Sequence, residues 1–372
     1  MKILFFTLLF IGCGRKEEES SYQEKVEEKI AVHDLSQAAR EYSDSMLTIL
    51  TLEERIGQFL MPSIPSVAGK ENIEKLQKWV RDYHIGGIVL LQGNIEGAEQ
   101  LVRNVAAEKV PLFIAIDAEW GLGMRLEDAL VYPKNGLIEK DIEEIKLYDY
   151  GYEVAGEAGS IGINMILGPV IDVSNKRVGA IGLRSFGGDA ERVSDLGVAY
   201  AKGLESGGVM SVAKHFPGHG NTREDSHKGV AVLTGEINKL DSVELKPFRK
   251  YVDAGLSGVM AGHIQARGLD PDGVAASVSM DMLTSLLREE MGFKGLILTD
   301  AFDMGGAKGF TATEAIKAGA DIILCPMDVG KEYNGILENI KDGNLDIGIV
   351  NERCRRILFM KYLFTHKREE SR

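Results

Sequence analysis

Gly295-Leu296-Ile297-Leu298-Thr299-Asp300 is a short apolar run that starts on a glycine and ends on an acid. Ala301-Phe302-Asp303-Met304-Gly305-Gly306 follows, and Thr311–Ala318 beyond it has helical periodicity. A run of this length bounded by glycines reads as a buried strand, and the glycines after it force a loop before the helix. Asp300 could simply cap that helix, but Thr311 and Thr313 are better placed for the task. The acid is therefore expected to project from a strand end.

The same unit recurs along the chain. Strands are expected at Ile56–Met61, Gly87–Leu91, Leu112–Asp117, Asn164–Gly168 (extending to Asp172), Val209–Lys214, Gly258–His263, Leu296–Asp300 and Asp321–Cys325. Helical periodicity lies between them, at Glu71–Tyr83, Ala98–Lys109, Lys140–Ala158, Glu191–Ser206, Ser242–Ala254, Met280–Met291 and Thr311–Ala318, and Ile347–Phe364 closes the chain. Eight βα repeats predict an α/β fold, a (β/α)8 TIM barrel forming a single catalytic domain, with a doubly wound open sheet as the alternative. In both architectures a ligand binds at the carboxyl ends of the strands, so the strand ends become the candidate site.

The fifth of these strands opens into Lys214-His215-Phe216-Pro217-Gly218-His219-Gly220-Asn221-Thr222-Arg223-Glu224-Asp225-Ser226-His227. Pro217, Gly218 and Gly220 end regular structure, and three of the seven histidines fall in this one segment. A solvated turn is the plain reading. Zinc is disfavoured, because there is no helical His pair and no nearby cysteine. The Asp225-x-His227 pair supports a third role: a carboxylate on one ring nitrogen raises the basicity of the imidazole and leaves the other nitrogen to move a proton near neutrality.

Other strand ends add polar groups. The third leads into Asp117, Glu119, Trp120 and Arg125 on a glycine-containing loop, suited to a ligand rich in hydroxyls or to a simple bracing ion pair between Asp117 and Arg125. Arg184, in Arg184-Ser185-Phe186-Gly187, is equally a ligand group or a structural fork on carbonyls. His263 has no obvious partner and is expected to be structural.

Composition limits the partners. A formal net charge of −13, from 43 basic and 56 acidic residues, argues against nucleic acid or an anionic membrane surface. The first residues carry Lys2, an apolar stretch Ile3–Ile11, and Gly12 before Cys13. Such a run is too short to span a bilayer and has the form of an export signal. Leu9-Phe10-Ile11-Gly12-Cys13 resembles a lipobox, with ordinary secretion as the alternative. Residues 1–12 are thus expected to be a lipoprotein signal peptide, 13–33 an acidic tether lipidated at Cys13, and 34–372 the barrel domain. The protein is then exported and membrane-anchored, on the periplasmic side or at the cell surface, through that lipid alone. Cys325 and Cys354 are expected to be buried free thiols.

Taken together, these motifs are similar to family 3 glycoside hydrolases, in the single-domain bacterial β-N-acetylglucosaminidase (β-N-acetylhexosaminidase) branch, from about Thr51 to Phe364. Lys214–Gly220 followed by Asp225-Ser226-His227 carries most of the resemblance, with Glu244–Ile264, Ile297–Met304 and Ala318–Pro326 in support. The resemblance implies Asp300 as nucleophile, His227 as general acid/base and Asp225 as its orienting partner, with Asp117, Arg125, Arg184, Lys214 and His215 on the sugar. It also implies a carbohydrate substrate, a monomer, and neither cofactor nor metal. Asp300-Ala301 replaces the acid pair common in the family, and the loop after Asp117 departs from the commoner form. Terminal N-acetylhexosamine on muropeptides or chitin-type oligosaccharides is the expected substrate. The alternatives are a phosphorylase acting on the same glycosides and a catalytically silent sugar-binding lipoprotein.

Overall fold

The computed structural model describes residues 35–138, 142–222, 226 and 229–365. Helix α1, over 35–49, is followed by α2 (Leu52–Gly57), where the Glu54 amide donates to the Thr51 hydroxyl and the Thr51 amide to the Glu54 carboxylate. This capping box settles the first unit differently from expectation: Ile56 and Gly57 are helical, and the strand begins later, as β1 (Leu60–Met61) and β2 (Ser63–Ser66) on either side of Pro62.

Next come α3 (Lys70–Tyr83), β3 (Gly87–Gly93), α4 (Ile95–Arg103, capped by the Asn94 side chain), β4 (Phe113–Ile116), α5 (Glu144–Ile161) and β5 (Met165–Ile166). Then follow α6 (Ala190–Ser206), β6 (Met210–Phe216), β7 (Ala231–Val232), α7 (Ile237–Val243), α8 (Lys246–Asp253), β8 (Gly258–Ala261) and β9 (Ile264–Gln265). A π-helix, Asp281–Glu290, precedes β10 (Leu296–Thr299), α9 (Ala312–Ala318), β11 (Ile323–Leu324), α10 (Val329–Lys341) and α11 (Ile347–Thr365). One expected helix, Ser242–Ala254, is broken into α7 and α8 by Pro247, which fits only in the first turn of the second piece. The unexpected α10 starts where the Asp328 carboxylate accepts from the Lys331 amide.

Seven strands pair in parallel in the order β10-β8-β6-β5-β4-β3-β2. The eighth closes the ring. On one side the Thr299 amide donates to Ile322 O at 2.9 Å; on the other the Ile323 and Cys325 amides donate to Phe59 O and Met61 O at 2.8 and 2.9 Å. Together with the β1–β11 pairing, these bonds make a closed (β/α)8 barrel. The small parallel pair β7–β9 links the loops that follow β6 and β8.

The central strands are buried throughout: Phe113–Ile116, Met210–Phe216, Gly258–Ala261 and Leu296–Thr299 each lie wholly in the interior. That is the consequence of a parallel barrel sheathed in helices, and it explains why the strands read as continuous apolar runs rather than alternating ones. Cys325 and Cys354 are buried and unpaired, as expected from their isolation. Among the described residues, no helix is long and apolar enough to cross a membrane.

Candidate active site

Asp117 follows β4, Asp172 lies in the irregular segment after β5, Lys214 and His215 lie in β6, and Asp300 follows β10. The barrel therefore delivers these side chains from four parallel strands to one end. Asp117, Arg125, Arg184, Lys214, His215 and Asp300 line a single cavity of about 380 Å³, and Glu119, His219, Ser226, Asp303 and Cys325 share its wall.

Lys214 is the electrostatic centre of one wall. Its Nζ lies 2.6 Å from Asp117 Oδ1 and 2.8 Å from Glu119 Oε1. Arg125 Nη2 donates to the other Asp117 oxygen at 2.5 Å, and Arg184 donates to both Glu119 oxygens, at 2.7 and 2.9 Å. Burial alone would push both acids up, but the Lys214 and Arg125 charges hold Asp117 well below the usual carboxylate range. Arg184 and Lys214 likewise bring Glu119 down to about 2. Buried carboxylates are kept ionised here because each has two cations in contact. The Asp117–Arg125 bracing pair thus exists, yet both partners still face the cavity.

A third buried acid, Asp172, organises the start of the histidine loop. Asp172 Oδ2 is 2.7 Å from His215 Nδ1, and Oδ1 accepts from the amides of His215 and His219 at 3.2 and 2.7 Å. Burial would raise this carboxyl, and the two imidazoles reverse the shift. His215 Nε2 stands 3.3 Å from Arg184 Nη2, so the histidine joins the Asp172 and Glu119 clusters. Gly220 makes this packing possible: a Cβ there would sit 2.0 Å from Val173 O.

Asp300 is buried, with one carboxylate oxygen accepting from the Ala301 amide at 2.8 Å. Desolvation would raise its pKa, but His215, His263, the Ala301 amide and Lys214 together hold it below its ordinary value. An ionised carboxylate fixed at a strand end beside cations is a competent nucleophile. His263 is structural, its ring bonded to Ser277 Oγ at 2.8 Å and Ala301 O at 3.0 Å. Trp120 lies outside the cavity lining, where Lys134 Nζ covers its ring at 4.8 Å from the centroid.

All the expected ligand-binding residues and the expected nucleophile converge. Asp225, His227 and Cys13 lie outside the described residues. Three members of the site were not assigned roles from the sequence. Glu119 sits two residues after Asp117, Asp172 closes the extended fourth strand, and His219 belongs to the histidine loop. Glu119 and His219 carried local signals, the first as the second carboxylate of the loop after Asp117 and the second by its place among three clustered histidines. Among the described residues, no group of three or more His, Cys, Asp or Glu side chains is arranged to hold a metal ion.

Comparison with known proteins identifies one family. Residues 51–360 match the family described as "Glycosyl hydrolase family 3 N terminal domain". The chain is 34% identical over 293 residues to Beta-hexosaminidase A of Pseudoalteromonas piscicida, an alignment covering 68% of this chain but only 48% of that protein. It is 32% identical over 282 residues to Beta-hexosaminidase of Nitrosomonas eutropha, covering 72% of this chain and 80% of the relative. Among solved structures, a family 3 beta-N-acetylglucosaminidase from Paenibacillus sp. superposes with a TM-score of 0.76 at 28% identity, over 85% of this chain and 63% of that one.

Proposed function

Because the chain belongs to glycosyl hydrolase family 3, with relatives named beta-hexosaminidases, we propose that it is a retaining, exo-acting β-N-acetylglucosaminidase. It removes terminal non-reducing β-linked N-acetylhexosamine from muropeptides or chitin-type oligosaccharides. The supporting observation is that Asp300 shares one cavity with Asp117, Arg125, Arg184, Lys214 and His215. A carboxylate nucleophile and a ring of hydroxyl-binding donors and acceptors then face the same sugar.

In the first step an Asp300 oxygen attacks the anomeric carbon while the His227 imidazolium gives its proton to the departing glycosidic oxygen. The products are a glycosyl-enzyme ester and the free aglycone alcohol. In the second step neutral His227, oriented by Asp225, takes a proton from water. The resulting hydroxide attacks the same carbon, releasing the sugar and restoring the Asp300 carboxylate. Two inversions give retention. An imidazole needs no raised pKa to exchange protons near neutrality, which suits it to a place usually held by a carboxylic acid. Residues 1–12 serve as signal peptide and Cys13 as lipid anchor for an exported monomer.

The test is hydrolysis of a chromogenic N-acetylglucosaminide, followed by anomeric analysis of the first product. Wild type should release β-configured sugar and Asp300→Ala should be nearly inactive. Full turnover by Asp300→Ala would move the nucleophile, with Asp303 the first candidate. No turnover by wild type would leave a sugar-binding lipoprotein. Sugar 1-phosphate formed in phosphate buffer would make it a phosphorylase.

A further inference from the structure

Glu244 is a buried acid that the proposed mechanism leaves unused. It ends α7, its amide donating to Leu240 O at 2.9 Å, and its side chain packs against the turn that follows β6. Asn221 Nδ2 donates to Glu244 Oε1 at 2.6 Å and reaches Val173 O at 3.4 Å. A Cβ on Gly218 would stand 2.6 Å from Glu244 Oε2, so only glycine lets the turn lie on the carboxyl. Oε2 itself has no hydrogen-bond partner among the described residues.

The turn carries this contact to the cavity. The Gly218 amide donates to His215 O at 2.8 Å and the Ser174 hydroxyl to Gly220 O at 3.2 Å, while Asp172 Oδ1 holds the amides of both His215 and His219. A shift of Gly218–Asn221 therefore displaces His215, whose ring lines the cavity between Asp172 and Arg184. We infer that Glu244 is a positioning residue: from the junction of α7 and α8 it supports the Gly218–Asn221 turn and so sets the His215 ring against the sugar. This rests on the proposed role of His215 in sugar binding. The support works as the neutral acid. Burial, with the Asp172 charge, raises the Glu244 carboxyl to about 7, against the Asn221 bond, Lys239 and Lys176. Asp241 and Lys246, its charged neighbours on α7 and α8, pair instead with Arg249 and Glu191, and the turn's own histidines are held on Asp172. Ionisation would leave a charged, unpartnered oxygen buried near a second carboxylate, and the turn would move away from it.

The experiment measures kcat and KM on a chromogenic N-acetylglucosaminide, well below the melting temperature of each variant. Misplaced site groups can cost up to about 10²-fold, so Glu244→Ala at about pH 6 should lose about 10-fold in kcat/KM, chiefly through KM, as His215→Gln does. Glu244→Gln has the shape of the neutral acid and keeps an oxygen for Asn221, so it should stay within about 2-fold of wild type. Between about pH 6 and 8.5 the ratio of Glu244→Gln to wild type should rise about 3-fold or more, because only wild type gains the charge. The acid/base imidazole titrates alike in both and drops out of the ratio. Gly218→Ala presses on the same oxygen from the turn side; it should reproduce the loss, and it keeps the test available if Glu244→Ala folds poorly. If Glu244→Ala melts lower but turns over like wild type, or the ratio is flat with pH, Glu244 is packing only and the positioning role falls alone. If His215→Gln matches wild type, or wild type shows no turnover, the reading of the site falls and the inference with it.

Discussion

Arg184 grips both oxygens of Glu119, at 2.7 and 2.9 Å, and the acid has no exposed surface left. Glu119 also takes Lys214 at 2.8 Å, so it neutralises two cations that would otherwise face each other across the cavity wall. Removing one partner of a buried pair strands the other charge at a cost of about 3–5 kcal/mol. Glu119→Gln should therefore lower the melting temperature by several degrees and depress activity on every substrate. Asp117→Asn should behave differently, because Asp117 retains some exposure to the cavity. Its expected signature is a raised KM with a smaller loss of melting temperature than Glu119→Gln. Thermal melts and steady-state kinetics on the two variants check the contrast; identical melts for Glu119→Gln and wild type would refute it.

In the proposed mechanism the state of Asp300 sets the acid side of the pH profile. Its pKa lies below the ordinary 3.8, since His215, His263, the Ala301 amide and Lys214 outweigh desolvation. A depressed carboxyl is ionised at all pH above that value, so the nucleophile is lost only as pH falls below about 4. The kcat/KM profile should accordingly stay flat on its acid side down to about that pH, and decline on the alkaline side as the acid/base imidazole loses its proton. His215 is the largest favourable charge on Asp300. His215→Gln should shift the acid limb upward while leaving the alkaline limb in place. An acid limb near pH 6 in wild type, or one that His215→Gln leaves unmoved, would contradict this account of the nucleophile.

The sequence exposed what is local and hid what is assembled by the barrel. Asp300 was legible because its strand, loop and helix are contiguous, and Asp117 because it too ends an apolar run. The partnership of Glu119 with Arg184 spans 65 residues and that of Asp172 with His215 spans 43, distances over which spacing carries no signal. Ring closure brings these segments together, so partners can be named only once strand order is known. The error at the first strand has the opposite cause. Thr51-x-x-Glu54 is a readable helix start, yet the apolar residues after it satisfy a strand pattern equally well, and the capping bonds decide. His263 shows the converse case: its isolation in sequence pointed correctly to a structural role filled by Ser277 and a carbonyl.

Three buried groups outside the Asp300 cavity should give the stability an unusual pH dependence. Glu205 is pushed up to about 7 by burial, against the opposing bonds from Ser211 and Ser257 at the starts of β6 and β8. Between its ordinary 4.5 and about 7 the folded state holds a proton that the unfolded chain has released, so stability falls as pH rises through that window. Glu244, also raised to about 7 by burial, adds a slope of the same sign. Lys361 works the other way. Burial pushes it down to about 7 from 10.5, beside Gln58 Oε1 at 2.6 Å. From about 7 to 10.5 the unfolded chain holds the extra proton, and stability recovers as pH rises. Each group is worth at most a few kcal/mol, taking about 1.4 kcal/mol for a tenfold change. Denaturant midpoints measured from about pH 5 to 10 should thus pass through a minimum near neutrality. Glu205→Gln, which keeps an oxygen for the Ser257 amide, should reduce the acidic slope and leave the share carried by Glu244. Lys361→Met should flatten the alkaline side and raise the midpoint at pH 7, because a buried charge is replaced by an apolar chain of similar length. A monotonic wild-type curve, or variants that leave both slopes intact, would show that neither group titrates across these windows.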